Sequence, residues 1–239
     1  MSPPAPATDE GAGAARVFAV AGSLVSRLLD HQLPALVDAA NALTDRLLAG
    51  GTVYVFGAGH SRAVAMELAE RAGGLSATKE LALEDIVISG GATKQDLMDG
   101  ALERRPEAAV ELLKSVEIGL SDAFIVISHS GRNGAPVEMA LQARHRQLPV
   151  VAITSLQHSG AVTSRHPSGL RLFEVATHCL DTLAPYGDTA IRLTDELGVC
   201  SVSSIAGTLL AQALTLEIVN GYLRAGAVPP VLVSRNVGP

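Results

Sequence analysis

Ala123-Phe124-Ile125-Val126-Ile127-Ser128-His129-Ser130-Gly131-Arg132-Asn133 is an apolar run that breaks off into two hydroxyls and a glycine. Five apolar residues in succession suit a strand buried on both faces. A helical pattern opens directly after it at Ala135-Pro136, with the proline in the first turn, where its missing N–H costs nothing. The turn between such a strand and helix can wrap an anion. Its backbone N–H groups point inward, the hydroxyls rotate to donate, and the helix N-terminus adds a partial positive charge. Ser128 to Asn133 therefore reads as a phosphate loop, and the rest of the chain as the pocket built around it.

The same arrangement occurs earlier. The β-rich run 52–56 is followed by Gly57-Ala58-Gly59-His60-Ser61, then by a helix over 62–71 that stops at Gly73-Gly74. A dinucleotide fingerprint would need glycine at 62, where Arg62 stands, and no acidic residue closes a second strand at the usual spacing, so a dinucleotide site is disfavoured. Upstream, residues 1–13 are rich in Pro, Ala and Gly and read as disordered. Two helical stretches follow over 14–29 and 34–48, closed by Gly50-Gly51. They form either an arm against a partner subunit or a cover for one face of the sheet.

Downstream, 75–88 holds a short strand with Glu80, Glu84 and Asp85 beside it, and 96–116 reads as one helix. A buried strand over 149–153 ends in Thr154-Ser155; a further strand over 172–179 precedes Asp181 and the turn 184–188; 191–193 reads as a short edge strand. A long apolar helix over 203–223 and an irregular tail, 227–239, complete the chain. Alternating strands and helices give an α/β fold with a parallel sheet. Its ligand crevice lies off the carboxyl ends of the strands, where Ser61, Ser128, Ser130 and Thr154 would gather.

The bulk numbers bound the partners. With 239 residues, 48% hydrophobic and 18% charged, the chain can bury a substantial core. A net charge of −6 argues against nucleic acid as the main partner and leaves a phosphorylated small molecule open. Cys179 and Cys200 lie in apolar surroundings outside any Cys-x-x-Cys pair, as free thiols do, and no zinc spacing exists. The N-terminus lacks the pattern of a signal peptide, and no uninterrupted apolar run reaches the ~18 residues of a membrane span. A cytoplasmic protein with no membrane partner is expected.

With both loops in hand, the chain resembles the sugar isomerase (SIS) domain family, whose members carry a Gly-x-Gly-x-Ser turn after the first strand and a Ser-x-Ser-Gly-x-Ser/Thr loop after a later one. The resemblance covers roughly residues 33–224, and it is strongest to single-domain SIS proteins. Their run GAGHS, ERAGGL, SGRN, AITS, SRHPSG, PYGD recurs at 57–61, 70–75, 130–133, 152–155, 164–169 and 185–188. More distantly the chain is similar to phosphoheptose isomerase, the isomerase half of glucosamine-6-phosphate synthase, and N-acetylmuramic acid 6-phosphate etherase. The resemblance implies a three-layer sandwich with a doubly wound sheet over 14–226, pairing of subunits into a homodimer or homotetramer, and no cofactor or metal.

It also implies a phosphorylated sugar as ligand, its phosphate held by Ser61, Ser128, Ser130 and Gly131, with Gly57 and Gly59 shaping the first turn. Asn133 stands where the enzymes have Ser or Thr, and its amide can also donate to phosphate. Thr154, Asp188, Ser203 and Ser204 are further candidates for binding. In related enzymes a glutamate near the end of the helix after Gly-x-Gly-x-Ser takes the proton next to the carbonyl, and Glu70 matches it. Glu84, His60, His178, Asp188 and Glu217 are candidates for the second acid or base; His60 begins a helix, where a neutral imidazole can polarise a carbonyl. His129 is expected to contribute its backbone N–H with the ring outward. The expected reaction is elimination of water from N-acetylglucosamine 6-phosphate. Aldose–ketose isomerisation and non-catalytic phosphosugar sensing are the rivals.

Overall fold

A computed structural model describes residues 11–234 and 236. Residues 1–10, expected to be disordered, and 235 and 237–239 of the tail lie outside the described residues. The chain runs α1 (Ala12–Leu48), β1 (Val53–Gly57), α2 (Ser61–Leu68), β2 (Thr78–Leu81), α3 (Leu83–Ile88), α4 (Lys94–Met98), α5 (Ala101–Arg104) and α6 (Pro106–Leu113). It continues through β3 (Ala123–Ile127), α7 (Gly134–His145), β4 (Val150–Thr154), α8 (Leu156–Gly160), α9 (Leu172–Val175), β5 (His178–Asp181), β6 (Thr189–Arg192), β7 (Gly198–Ser201) and α10 (Ser203–Arg224).

Strands β1 to β5 form one parallel sheet in the order β2-β1-β3-β4-β5. Every residue of β1, β3 and β4 is buried, and successive side chains enter opposite cores. Val53, Val55, Ile125, Ile153 and Leu180 pack with α1, α2 and α10. Tyr54, Phe56, Phe124, Val126 and Ala152 pack with α3, α6, α7 and α9. The result is the three-layer sandwich. The strand order reverses between β1 and β3, so the loops that leave them diverge and open a crevice at the carboxyl ends.

Several expectations change. The helical stretches 14–29 and 34–48 are one helix, α1, with Pro34 inside it. An interior proline costs ~3 kcal/mol, but the continuous stripe Leu24, Leu28, Leu36, Ala40, Leu43 and Leu47 buries against α10 and the sheet and holds the helix through it. Helix starts already at Ala12, inside the stretch expected to be disordered. By length and composition α1 is also apolar enough to cross a membrane; a count of uninterrupted apolar residues missed this because polar and charged residues such as Ser23, Ser26, Arg27 and Asp30 are interspersed.

Residues 96–116 are three helices, not one, because Gly100 adopts a left-handed backbone (φ 65°) and Pro106 opens a new helix at its first position. Residues 172–175 are helix rather than strand. The Glu174 carboxylate accepts from the Arg171 backbone N–H at 2.8 Å and from its guanidinium, which caps the turn. Residues 189–192 pair with β7 in a separate antiparallel hairpin rather than edging the main sheet. The described part of the tail has no regular structure beyond a bridge to the turn after α2, where Gly73 N donates to Leu232 O and Leu232 N to Gly74 O, both at 2.8 Å.

Candidate functional site

A cavity of about 560 Å³ opens where the strand order reverses. The turn after β1 contributes Ala58, Gly59, His60 and Ser61, and the loop after β3 contributes Ser128, His129 and Ser130. Ser203 and Ser204, at the start of α10, close the third side, with Glu103, Thr182, Asp188 and Ser201 on the rim. Helix α10 reaches this position because Gly207 lacks a side chain; a Cβ there would stand 2.8 Å from Val64 Cγ2 on α2. Three stretches far apart in sequence thus bring hydroxyls to one place.

Among the described residues the hydroxyls of Ser61, Ser130 and Ser204 make no hydrogen bond to the protein. No lysine or arginine among the described residues lines the cavity. An anion bound here would meet free hydroxyls and the positive end of α2, with the carboxylates of Glu103 and Asp188 on the rim. Ser128 is buried and its Oγ accepts from Gly131 N at 3.2 Å, so Ser128 shapes the loop while its own hydroxyl hydrogen stays available.

Several expected ligands are placed otherwise. The Gly131 N–H, expected to reach phosphate, is spent on Ser128; Gly131 has φ 59° and packs so closely that a Cβ would stand 2.7 Å from Ser159 Oγ. Thr154 is fully buried, and its hydroxyl donates to His129 O at 3.2 Å rather than facing the cavity. Asn133 has both ends of its amide occupied, donating to Glu103 Oε1 and accepting from the Arg165 guanidinium at 2.9 Å. Gly57 and Glu84 line a second cavity of about 430 Å³ beside the first, sharing the wall Ala58, Gly59, His60 and Glu103. Glu84 is paired there with Arg62 at 2.7 Å. Glu70 lies exposed in the turn after α2, with φ 56°, outside both cavities. His60 lines both.

Asp188 acts as a cap for α10 from outside the helix. One carboxylate oxygen accepts from Ser203 N at 2.7 Å and Val202 N at 3.2 Å; the other accepts from Ser203 Oγ at 2.6 Å and from the Ser201 hydroxyl. Ser203, a candidate phosphate donor in the sequence, is therefore committed to Asp188.

The His129 ring turns inward, not outward. Both its nitrogens are buried without a partner among the described residues. It meets His158 edge-on at 4.7 Å, and His158 stacks on Tyr186 at 4.9 Å. Gly187 N donates to His158 Nδ1 at 3.1 Å, so that nitrogen carries no proton. Burial pushes the pKa of both imidazoles down, with Asp188 pulling each partly back up. His129 thus presents a neutral ring at the cavity wall. Burial likewise pushes the Cys179 thiol up to about 12, in keeping with an inert free cysteine.

Glu103 is, with Thr182 and Ser201, a cavity residue that reading the sequence missed. It lies within 96–116, a charged stretch that carries no motif, and only the break at Gly100 turns α5 towards the loops.

The model of the SIS domain matches residues 18–155 of the chain. A UPF0309 protein of Halalkalibacterium halodurans is 36% identical over 215 residues, which is 90% of this chain and 87% of that protein. Among solved structures, the phosphoheptose isomerase of Neisseria gonorrhoeae superposes with a TM-score of 0.60 at 16% identity, covering 87% of this chain and 97% of that one. The NanR protein of Vibrio vulnificus, complexed with ManNAc-6P, superposes with a TM-score of 0.54 at 16% identity, covering 91% of this chain and 66% of that one. At these identities the structural matches speak for the fold.

Proposed function

The chain belongs to the SIS domain family, and from that premise we propose that it is a phosphosugar enzyme that removes the proton next to the carbonyl of an amino-sugar 6-phosphate and expels water. The observation that carries this reading is the cavity at the switch point, where the open hydroxyls of Ser61, Ser130 and Ser204 converge with no cation in the lining. Such a lining suits a phosphate on a polyhydroxylated body: the hydroxyls and the start of α2 take the phosphate, and the sugar body extends towards the rim. NanR of Vibrio vulnificus, which shares the fold, is complexed with an amino-sugar phosphate, ManNAc-6P.

In this reading the phosphate of open-chain N-acetylglucosamine 6-phosphate sits among Ser61, Ser128 and Ser130. A carboxylate takes the C2 proton, the electron pair moves into an enolate polarised by an imidazole, that of His60 or His129, and the C3 hydroxyl leaves as water on receiving that proton back. Glu70, the base implied by the resemblance, lies outside the cavity of its own protomer and acts only if a second copy brings it to one. That second copy packs along α1 and α10, where Phe18, Leu29, Leu33 and Leu216 stand exposed. The reading places the protein in the cytoplasm, where sugar phosphates are made and used.

The test is to incubate the purified chain with N-acetylglucosamine 6-phosphate and a panel of hexose and hexosamine 6-phosphates in deuterated water. Loss of water by mass spectrometry supports the lyase. Mass-neutral conversion with deuterium at C2 identifies an aldose–ketose isomerase instead. A panel that emerges unchanged and unlabelled ends the enzymatic reading.

A further inference from the structure

We propose that Glu103 is the base of this site and that Asn133, itself held by Arg165, positions it; the inference rests on the phosphosugar reading above. Two carboxylates line the first cavity, Asp188 and Glu103. Asp188 is saturated, its two oxygens taking four hydrogen bonds from Ser201, Val202 and Ser203. A carboxylate so employed would have to release the start of α10 in order to take a proton. Around the second cavity, Glu84 is paired with Arg62, whose guanidinium it shares with Glu80. On α2, Glu67 is tied to Arg71 and Gln212. Glu103 differs from all of these. Among the described residues it makes no ion pair, and its one hydrogen bond is the one it accepts from Asn133.

The arrangement of that bond is determined by chemistry. The Arg165 guanidinium can only donate, so the Asn133 carbonyl oxygen faces it, at 2.9 Å. The amide nitrogen then faces Glu103, and an ionised carboxylate can only accept. Arg165 is held in turn through its backbone, which donates to Arg132 O at 2.7 Å. One oxygen of Glu103 is thereby anchored. The other, Oε2, is directed to the turn after β1, 3.5 Å from where a Cβ on Gly59 would stand. Glu103 stands in the wall shared by the two cavities, between the two loops that take the phosphate. A carboxylate with one oxygen anchored by an amide and the other unengaged can gain and lose a proton without dismantling its surroundings. This also accounts for Asn133, which stands where the family's phosphate loop has Ser or Thr: its side chain serves the carboxylate, not the phosphate.

The step balances with this one group. Glu103 Oε2 takes the proton from C2 of the open-chain sugar, and the C2–H electron pair forms the C1–C2 double bond as negative charge moves to the carbonyl oxygen. The enolate then restores its carbonyl, forms the C2–C3 double bond and breaks the C3–O bond. The leaving hydroxide receives the proton held by Glu103 and departs as water, which regenerates the carboxylate.

The experiment follows wild type, Glu103→Gln and Asn133→Ala in deuterated water with N-acetylglucosamine 6-phosphate, measuring exchange at C2, turnover, phosphosugar affinity by calorimetry and the melting temperature. Glu103→Gln should keep affinity and melting temperature and lose exchange by ~100-fold or more. Asn133→Ala should lower kcat by ~10-fold with KM and melting temperature unchanged, a split that a purely structural role would not produce. Exchange by Glu103→Gln within threefold of wild type overturns Glu103 as the base and leaves the phosphosugar reading standing. A wild type that binds the sugar without exchange overturns both the base and the enzymatic reading. Loss of affinity together with activity in Glu103→Gln makes the residue a binding group and refutes the proposal.

Discussion

Replacing Asp188 by alanine should loosen the start of α10 and with it one side of the cavity. The carboxylate supplies acceptors for Ser203 N, Val202 N, Ser203 Oγ and the Ser201 hydroxyl. Loss of a helix cap costs ~1 kcal/mol. Loss of a negative charge at a helix N-terminus adds roughly 0.3–1 kcal/mol. Asp188 also sits at φ 65°, a conformation that aspartate tolerates better than alanine, which adds about 1 kcal/mol. The sum is about 3 kcal/mol, or a fall in Tm of roughly 6–12 °C for a domain of this size. Asp188→Asn keeps one oxygen for the two backbone donors and keeps the tolerated backbone, while the two serine hydroxyls can turn to accept from its amide. It should lose only the charge contribution, about 1 kcal/mol, and melt roughly 2–4 °C below wild type. Thermal melts followed by circular dichroism at matched protein concentration measure both. An alanine variant that melts within about 1 °C of wild type refutes the capping argument. Equal losses in the two variants would leave charge alone as the cause and refute the hydrogen-bond geometry.

Removing one open hydroxyl should weaken the phosphate seat: Ser130→Ala or Ser61→Ala loses a hydrogen bond to a charged group, worth about 1.5–3 kcal/mol, so phosphosugar affinity by calorimetry should fall roughly 10- to 100-fold. Burial holds the pKa of His129 and His158 below the ordinary imidazole value, so the unfolded chain binds more protons than the folded one between the folded and unfolded pKa values. The stability in question is therefore complete above the unfolded value and drains away as pH falls through that window. Wild-type Tm should drop on acidification from neutral pH, and His129→Gln should flatten that drop; identical profiles count against a buried neutral His129. Finally, Leu29→Glu combined with Leu216→Glu places charge on the exposed apolar face of α1 and α10, and light scattering should show the assembly reduced to monomers. A particle mass unchanged by the pair means the subunits meet elsewhere.

The strands that carry the two cavity loops were legible because a strand buried on both faces must be apolar throughout, and Ala123–Ile127 and residues 53–56 are so without interruption. The two loops were legible because glycines and serines directly after such strands have few other uses. The sequence alone thus determined an α/β fold with a parallel sheet and the hydroxyls Ser61, Ser128 and Ser130 at one end of it. It did not determine which polar groups remain free there. Whether Asn133 donates to a ligand or to Glu103, whether Ser203 is open or held by Asp188, and whether the His129 ring faces in or out depend on residues 15 to 59 positions away, which only the folded chain brings together. Pro34 stays inside a helix for the same reason, since the packing of α1 against α10 outweighs the local cost of the proline. Ser128 to Asn133 shows the division within one stretch. Its first three residues line the cavity at the end of their strand, while its last belongs to Glu103, 30 positions upstream, because hydrogen bonds in a buried site are made to whichever partner the fold presents.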